Sequence, residues 1–328
     1  MKKILIIRFS SIGDIVLTTP IIRCLKQQIN SCEIHYAVKK SFSSILFSNP
    51  YVNKVHVLDK NEKDFISQLK NEKFDLIIDL HNNLRTAKIK FLLQVKSHTF
   101  NKLNFKKFLL TQFKINLLPD KHIVDRYFEA VYPLGVKNDG KSCDFFIPEN
   151  TFLNPEIENF ILSKLPIAIA IGSKHNTKQI PIEKLITLIG NSTRNFLLLG
   201  GKDDFLKAEV IQNQFPEKVL NSCGKLTLEE SALAIKKCGI IITPDTGLMH
   251  IAAALNLNII SIWGNTVPDF GMYPYMPDFS EKYKILEIKN LKCRPCSKIG
   301  YERCPKKHFK CMMNQDFSTI LDGCVDPK

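Results

Sequence analysis

Long apolar runs are scarce in this 328-residue sequence. Its opening, Met1-Lys2-Lys3-Ile4-Leu5-Ile6-Ile7-Arg8, offers four apolar residues before a charge, fewer than the roughly 7 to 15 of an export segment. It reads as a first β-strand. The stretch 239–264 is broken by Pro244, Asp245, His250, Asn256 and Asn258, whereas a spanning helix needs about 20 mostly apolar residues. Neither export nor membrane spanning is expected. Repeats and low-complexity tracts are also missing. With 45% hydrophobic and 24% charged residues, 14 Gly and 16 Pro, disordered, collagen-like and solenoid classes are excluded and a sizeable core is expected. Acids are in short supply: 32 Asp/Glu face 46 Lys/Arg, a net charge of +14. Residues 1–150 carry +10 of this and residues 151–328 carry +4, so the first half is expected to meet an anion. Neither a G-x-G-x-x-G fingerprint nor a G-x-x-x-x-G-K-[ST] loop occurs, which weakens dinucleotide and P-loop readings. Without an export segment the ten cysteines belong in a reducing, cytoplasmic setting, where thiols persist rather than disulfides.

What is present alternates between short apolar runs and longer helical patterns. Strands are predicted at Ile4–Arg8, Glu33–Val38, Lys54–Leu58 and Asp75–Leu80, then again at Ile167–Ile171, Asn195–Leu199, Ile240–Thr243 and Asn258–Trp263. Their near-continuous hydrophobicity suits parallel strands covered on both faces. One helix is predicted from about Asp14, with Ile15, Leu17, Ile21, Ile22 and Leu25 on its buried stripe. Others are expected near Ile182–Ile189, Asp203–Gln214, Leu228–Lys237 and Leu248–Leu255. The pattern restarts after Pro148-Glu149-Asn150, so the fold class is α/β, two doubly wound domains spanning 1–150 and 151–328. Such domains place ligands at the carboxyl ends of their strands, and two in series would face each other across a cleft.

The loops at those strand ends hold the candidate chemistry. After the first strand comes Phe9-Ser10-Ser11-Ile12-Gly13-Asp14. Ser11 and Gly13 are small enough for an acceptor to approach closely. Asp14 reads two ways: a carboxylate complementing a helix N-terminus, or a general base that takes a proton from an attacking sugar hydroxyl. In the second half, Ile240 to Thr243 runs into Pro244-Asp245-Thr246-Gly247 and a small-residue helix with His250 one turn inside. The start of that helix would offer backbone N–H groups to a phosphate, although Asp245 as a cap and His250 as a satisfied core residue remain open. Lys174 or Lys178, after Ile167–Ile171, could neutralise a pyrophosphate leaving group. Asp203, after Gly200-Gly201, could bond a ribose hydroxyl.

In that order and spacing, Ser10-Ser11-Ile12-Gly13-Asp14, Asp75–Leu80 followed by Arg85, His122-Ile123-Val124-Asp125-Arg126-Tyr127, Lys178 ahead of Pro181, Gly200-Gly201, Asp245-Thr246-Gly247 with His250, and a cysteine-rich ending resemble the heptosyltransferase family, glycosyltransferase family nine. The resemblance runs almost end to end. It implies a GT-B architecture of two Rossmann-like domains, acceptor-binding first and nucleotide-sugar-binding second. It also implies an inverting transfer of heptose, needing neither metal nor cofactor, from a nucleotide sugar, typically ADP-heptose, to the inner core of lipopolysaccharide. By that likeness Asp14 is the base, Lys178 holds the donor phosphates, and Asp245, Thr246, Gly247 and His250 line the donor site. The family's acid just after the glycine pair falls on Lys202-Asp203 here, so the ribose contact at Asp203 is displaced by one position.

From Arg85 to Lys114 there are eight Lys/Arg and no acid, interleaved with Phe91, Phe100, Phe105, Phe108 and Phe113. This mixture fits an anionic lipid acceptor, with Arg85 and Lys88 as its contacts, and a peripheral seat at the inner face of the inner membrane. A solvated basic flank with core aromatics is the rival reading. Single-stranded nucleic acid would tolerate the same mixture but is disfavoured by the resemblance, so no nucleic-acid partner is expected. Cys293-x2-Cys296-x7-Cys304-x6-Cys311, with His308 nearby, has enough thiolates for tetrahedral zinc, yet its single C-x2-C pair is half of a ribbon signature. A structural or redox role is favoured and no catalytic metal is expected. A zinc-bearing, basic nucleic-acid-binding protein stands as the alternative class.

Overall fold

A computed structural model describes residues 2–317 and 320–321. The chain divides into two units. The first comprises Met1–Leu103, Asp120–Phe146 and Tyr275–Asp278, and the second comprises Asn104–Pro119, Ile147–Pro274 and Phe279–Lys328.

In the first unit, β1 (Lys2–Ile7), β2 (Cys32–Lys39), β3 (Lys54–Leu58), β4 (Leu76–Asp79) and β5 (Ser97–Thr99) form one parallel sheet in the order β3-β2-β1-β4-β5. Ile4 pairs with Ile34 on one side and Leu76 on the other. The central strand β1 is buried over Ile4–Ile7, as a strand flanked on both edges and covered on both faces must be. The predicted single helix from Asp14 is instead two, Ile12–Val16 and Thr19–Gln28. Pro20 in the first turn of the second explains the restart: its missing N–H is harmless there but would break a continuous helix. One face of the sheet is packed by Leu5, Ile7, Phe65, Leu69 and Ile89.

The second unit carries β6 (Ile167–Ala170), β7 (Phe196–Leu199), β8 (Val219–Asn221), β9 (Ile240–Pro244), β10 (Asn258–Trp263) and β11 (Tyr283–Glu287). They form a parallel sheet in the order β11-β10-β9-β6-β7-β8. Both sheets thus grow outward from a central strand and then reverse, the doubly wound order of Rossmann-like folds. Helix boundaries follow local chemistry. Thr227 and Glu230 form a reciprocal capping box at the start of Leu228–Cys238, and Gly239, at φ 74°, ends it in the left-handed region.

The eight predicted strands are all present, with ends shifted by a residue or two, while β5, β8 and β11 were not foreseen. Each of those three lies at the edge of its sheet. A short or half-exposed edge strand needs no continuous apolar run, so periodicity gives it no signal.

Candidate active site

Ligand crevices in doubly wound sheets open beyond the carboxyl ends of the two strands where the order reverses. In the first unit these are β1 and β4, and the segments that follow them hold Asp14 and His81. Asp14 lies in the helix Ile12–Val16 with Gly13 buried beside it. Its Oδ2 accepts hydrogen bonds from the Ser11 backbone N–H at 3.0 Å and from Ser11 Oγ at 2.7 Å, and its other oxygen is ion-paired with the Arg8 guanidinium. Arg8 also donates from Nε to the Ser10 carbonyl at 2.9 Å and from Nη1 to the Leu80 carbonyl at 2.6 Å, with the Tyr127 ring centroid 5.9 Å away. Burial works against the Arg8 charge, but Asp14 and the surrounding groups more than offset it and raise its pKa. Ser11, Gly13 and Asp14 are therefore brought together around a fixed guanidinium. Arg85 and Lys88 turn to Glu62, at 3.2 and 2.8 Å, on the helix Glu62–Asn71.

Arg8 was read only as the end of a strand. The signal was there: a cation closing an otherwise apolar central strand has to be held by something. His81 gave none. Its ring lies edge-on to Phe9, centroids 5.6 Å apart, and its backbone N–H donates to Asp79 Oδ1 at 3.0 Å. Burial, aided by Arg8 and Lys102, pushes its pKa down to about 4, so the imidazole beside the Asp14 loop is neutral at pH 7.

In the second unit the order reverses between β6 and β9. Here Lys178, from the loop after β6, donates to Asp245 Oδ2 at 2.6 Å, and Thr266 Oγ1, from beyond β10, donates to the same oxygen at 3.0 Å. Thr246 precedes the helix Gly247–Ala254 in extended conformation and makes no side-chain cap bond, so the first N–H groups of that helix are not capped by it. His250 is buried one turn inside. Close approach at Gly172 is tight: a Cβ there would stand 2.1 Å from Asp204 Oδ2. That carboxylate accepts the Gly201 N–H at 2.8 Å, while Asp203 is exposed. Lys178, Asp245, Thr246 and Gly247 thus lie on adjoining strand ends, and Asp203 on the loop after β7. Asn265, in the loop after β10 whose sequence marks it as setting specificity, is buried, and neither end of its carboxamide has a hydrogen-bond partner among the described residues.

The cysteine-rich segment braces this loop system. Thr177 N–H donates to the Tyr301 carbonyl at 3.1 Å and Tyr301 N–H to Thr177 Oγ1 at 2.8 Å. Arg294 donates to the carbonyls of Gly264 and Thr266 at 2.6 and 2.7 Å. Cys293 Sγ stands 3.7 Å from His308 Nε2, and burial, helped by neighbouring thiols, pushes the Cys296 and Cys311 thiols up to about 11 and about 12. Among the described residues the group whose ligand atoms converge within 4.8 Å is a different one, His35, His56 and Glu72. Its lone pairs are engaged: His35 Nδ1 and His56 Nε2 share a hydrogen bond of 2.8 Å, and Glu72 accepts from Lys3 at 3.1 Å and Lys54 at 2.5 Å.

These buried histidines predict acid lability. Burial foremost, with the His35 charge second, lowers His56 to about 4, as burial does for His81. Both are depressed from 6.5, so the unfolded chain takes up protons the folded chain refuses. Stability is complete above about pH 6.5 and is lost as pH falls through about 4. Glu72, held down to about 2 chiefly by its Lys54 hydrogen bond, extends the loss from about 4.5 toward 2. Urea unfolding at a series of pH values is expected to be flat above pH 7 and to weaken from 6.5 downward; constant stability from 6.5 to 4 contradicts this assignment.

Two Rossmann-like units, one with a braced acid and the other with a lysine–aspartate pair beside a helix start, define the class as a GT-B glycosyltransferase. The chain belongs to glycosyltransferase family 9 (heptosyltransferase), whose family model matches residues 63–306. It is 27% identical to lipopolysaccharide heptosyltransferase 1 of Campylobacter coli, over 80% of this chain and 84% of that protein. It is 25% identical to lipooligosaccharide heptosyltransferase 2 of Haemophilus influenzae, over 87% and 88%. Its fold is similar to that of a family 9 glycosyltransferase from Veillonella parvula (TM-score 0.73, 22% identity, 98% and 96% covered). It is also similar to that of the ADP-heptose lipopolysaccharide heptosyltransferase II of Escherichia coli (TM-score 0.70, 20% identity, 99% and 100% covered).

Proposed function

We propose that this glycosyltransferase moves a heptose from ADP-heptose to the inner core of lipopolysaccharide, with inversion and without a metal, working in the cytoplasm against the inner face of the inner membrane. One observation carries most of the weight: Lys178, held by Asp245 67 residues away, stands beside the start of Gly247–Ala254, which sets an ammonium next to helix N–H groups, the donors that bind a diphosphate. In the reaction the acceptor oxygen attacks the anomeric carbon from the side opposite the diphosphate. The bond from that carbon to the phosphate oxygen breaks, and its electron pair leaves with the nucleotide. Lys178 and the N–H groups at Thr246 and Gly247 balance the charge that develops there. Asp245 holds the ammonium in place through a charge-assisted hydrogen bond, His250 lines the donor site from one turn inside the helix, and Asp203 is left for the ribose. Asp14 takes the acceptor's proton. Its orientation is fixed by Arg8 and Ser11, which limits the search for a reactive geometry. Ser11 and Gly13 leave room for the acceptor sugar, and Arg85 and Lys88 meet its anionic groups by exchanging their Glu62 partner for them.

The test is to incubate the protein with ADP-heptose and with GDP- and UDP-sugars, each together with deacylated lipopolysaccharide core lacking heptose, and to read products by mass spectrometry. One added heptose from ADP-heptose is expected. Transfer from another nucleotide sugar with none from ADP-heptose overturns the donor assignment.

A further inference from the structure

The helix Asn104–Phe113 is amphipathic in an unusual sense. Its inward side is small: Leu110 and Thr111 are buried, and Leu110 packs on Val267 and Phe270. Its outward side is aromatic, with Phe105 72%, Phe108 47% and Phe113 62% exposed, and the chain beyond it adds Ile115 at 49% and Leu117 at 52%. The Phe108 and Phe113 rings touch edge to face, centroids 6.0 Å apart, so the aromatics form a patch rather than isolated exposures. Lys106, Lys107 and Lys114 lie among them in sequence, with Lys114 Nζ bonded to the Pro295 carbonyl at 2.8 Å and Lys107 Nζ 6.0 Å from the Phe270 ring centroid, and no acidic residue occurs between Asp79 and Asp120. Exposed apolar patches mark partner surfaces, and composition selects the partner here. Protein interfaces are depleted in lysine, whereas helices seated at an anionic bilayer combine aromatic and aliphatic residues with cations.

We propose that this face docks on an anionic bilayer, Phe105, Phe108 and Phe113 entering the headgroup boundary and Lys106 meeting lipid phosphates. The proposal deepens the reading above and rests on it, since docking brings the enzyme to a lipid-borne acceptor. It is tested by sedimenting the full chain with vesicles of phosphatidylglycerol and phosphatidylethanolamine, against phosphatidylcholine alone. Binding to the anionic vesicles, weakened by salt, is expected. The triple variant Phe105→Ser/Phe108→Ser/Phe113→Ser is expected to lower partition by about tenfold or more, and Lys106→Glu to lower it several-fold and flatten the salt dependence. Both variants are expected to keep wild-type transfer to a water-soluble, deacylated acceptor, which shows that they fold. Equal binding to neutral vesicles, undiminished binding by the triple variant, a wild-type dimer that this variant dissolves, or single-stranded RNA binding that it abolishes each overturns the proposal. Failure to bind vesicles with soluble transfer intact removes docking alone. Docking with no transfer from any nucleotide sugar removes the enzymatic reading instead.

Discussion

Asp14→Asn is expected to lower kcat by about 10²- to 10⁴-fold, the usual contribution of a positioned base, while the dissociation constant of ADP-heptose stays within several-fold. Asparagine keeps the shape of the side chain and can still accept from Ser11, but it cannot take up the acceptor's proton, nor can it neutralise Arg8. Because the variant leaves a buried guanidinium without its counter-charge, calorimetric donor binding serves as the check that the fold survives. A different signature is expected at the other site. Lys178→Met removes a charge-assisted contact worth about 1.5 to 3 kcal/mol, which corresponds to roughly a 10- to 100-fold rise in donor KM, together with a lower kcat because the same ammonium balances charge developing on the leaving diphosphate. The pair of variants separates the two roles through the split between kcat and KM. Full activity of Asp14→Asn in steady-state assays removes the base assignment.

Arg23→Ala is expected to cost about 3 to 5 kcal/mol of stability, the penalty for leaving buried partner charges uncompensated. Arg23 leaves the helix Thr19–Gln28 and grips the segment that closes the first unit. Nε and Nη2 donate to the two Asp139 oxygens at 2.8 and 3.0 Å, Nη2 reaches the Ser142 carbonyl at 3.1 Å, and Nη1 is paired with Asp144. Burial raises the Asp144 pKa, with Arg23 opposing it, so removing the guanidinium leaves a carboxyl that is costly to ionise. A fall in Tm of roughly 10 °C follows for a unit of this size. Arg23→Lys is expected to recover only part of it, since one ammonium cannot reproduce a forked donor. Thermal melts of both variants decide the matter, and a shift below about 2 °C for Arg23→Ala contradicts it.

What was readable beforehand, and what was not, follows from how each feature is encoded. The central strands announce themselves because burial on both faces demands unbroken apolar runs, as in Ile240–Ile242 and Ile259–Ile260. Their following turns announce themselves because small and polar residues must replace those runs at the strand end. Asp14, Lys178, Asp245 and Thr246 were therefore candidates from residue type and position along the chain. The loop holding Asn265 and Thr266 could be picked out as a loop that sets specificity, but not the bond from Thr266 to Asp245, and the hold on Arg8 by the Leu80 carbonyl and the Tyr127 ring depends on residues far along the chain.

The sequence by itself determined two α/β units, the central strands, and the loops in which an acid and an anion clamp could lie, since alternation of apolar runs and helical stripes is a local property of the chain. Strand order is not local. Only the tertiary structure set β9 directly beside β6 and β4 directly beside β1. That adjacency, reached by packing crossover helices on both faces of each sheet, puts Lys178 on Asp245 and anchors the partner of Asp14, Arg8, on the Leu80 carbonyl.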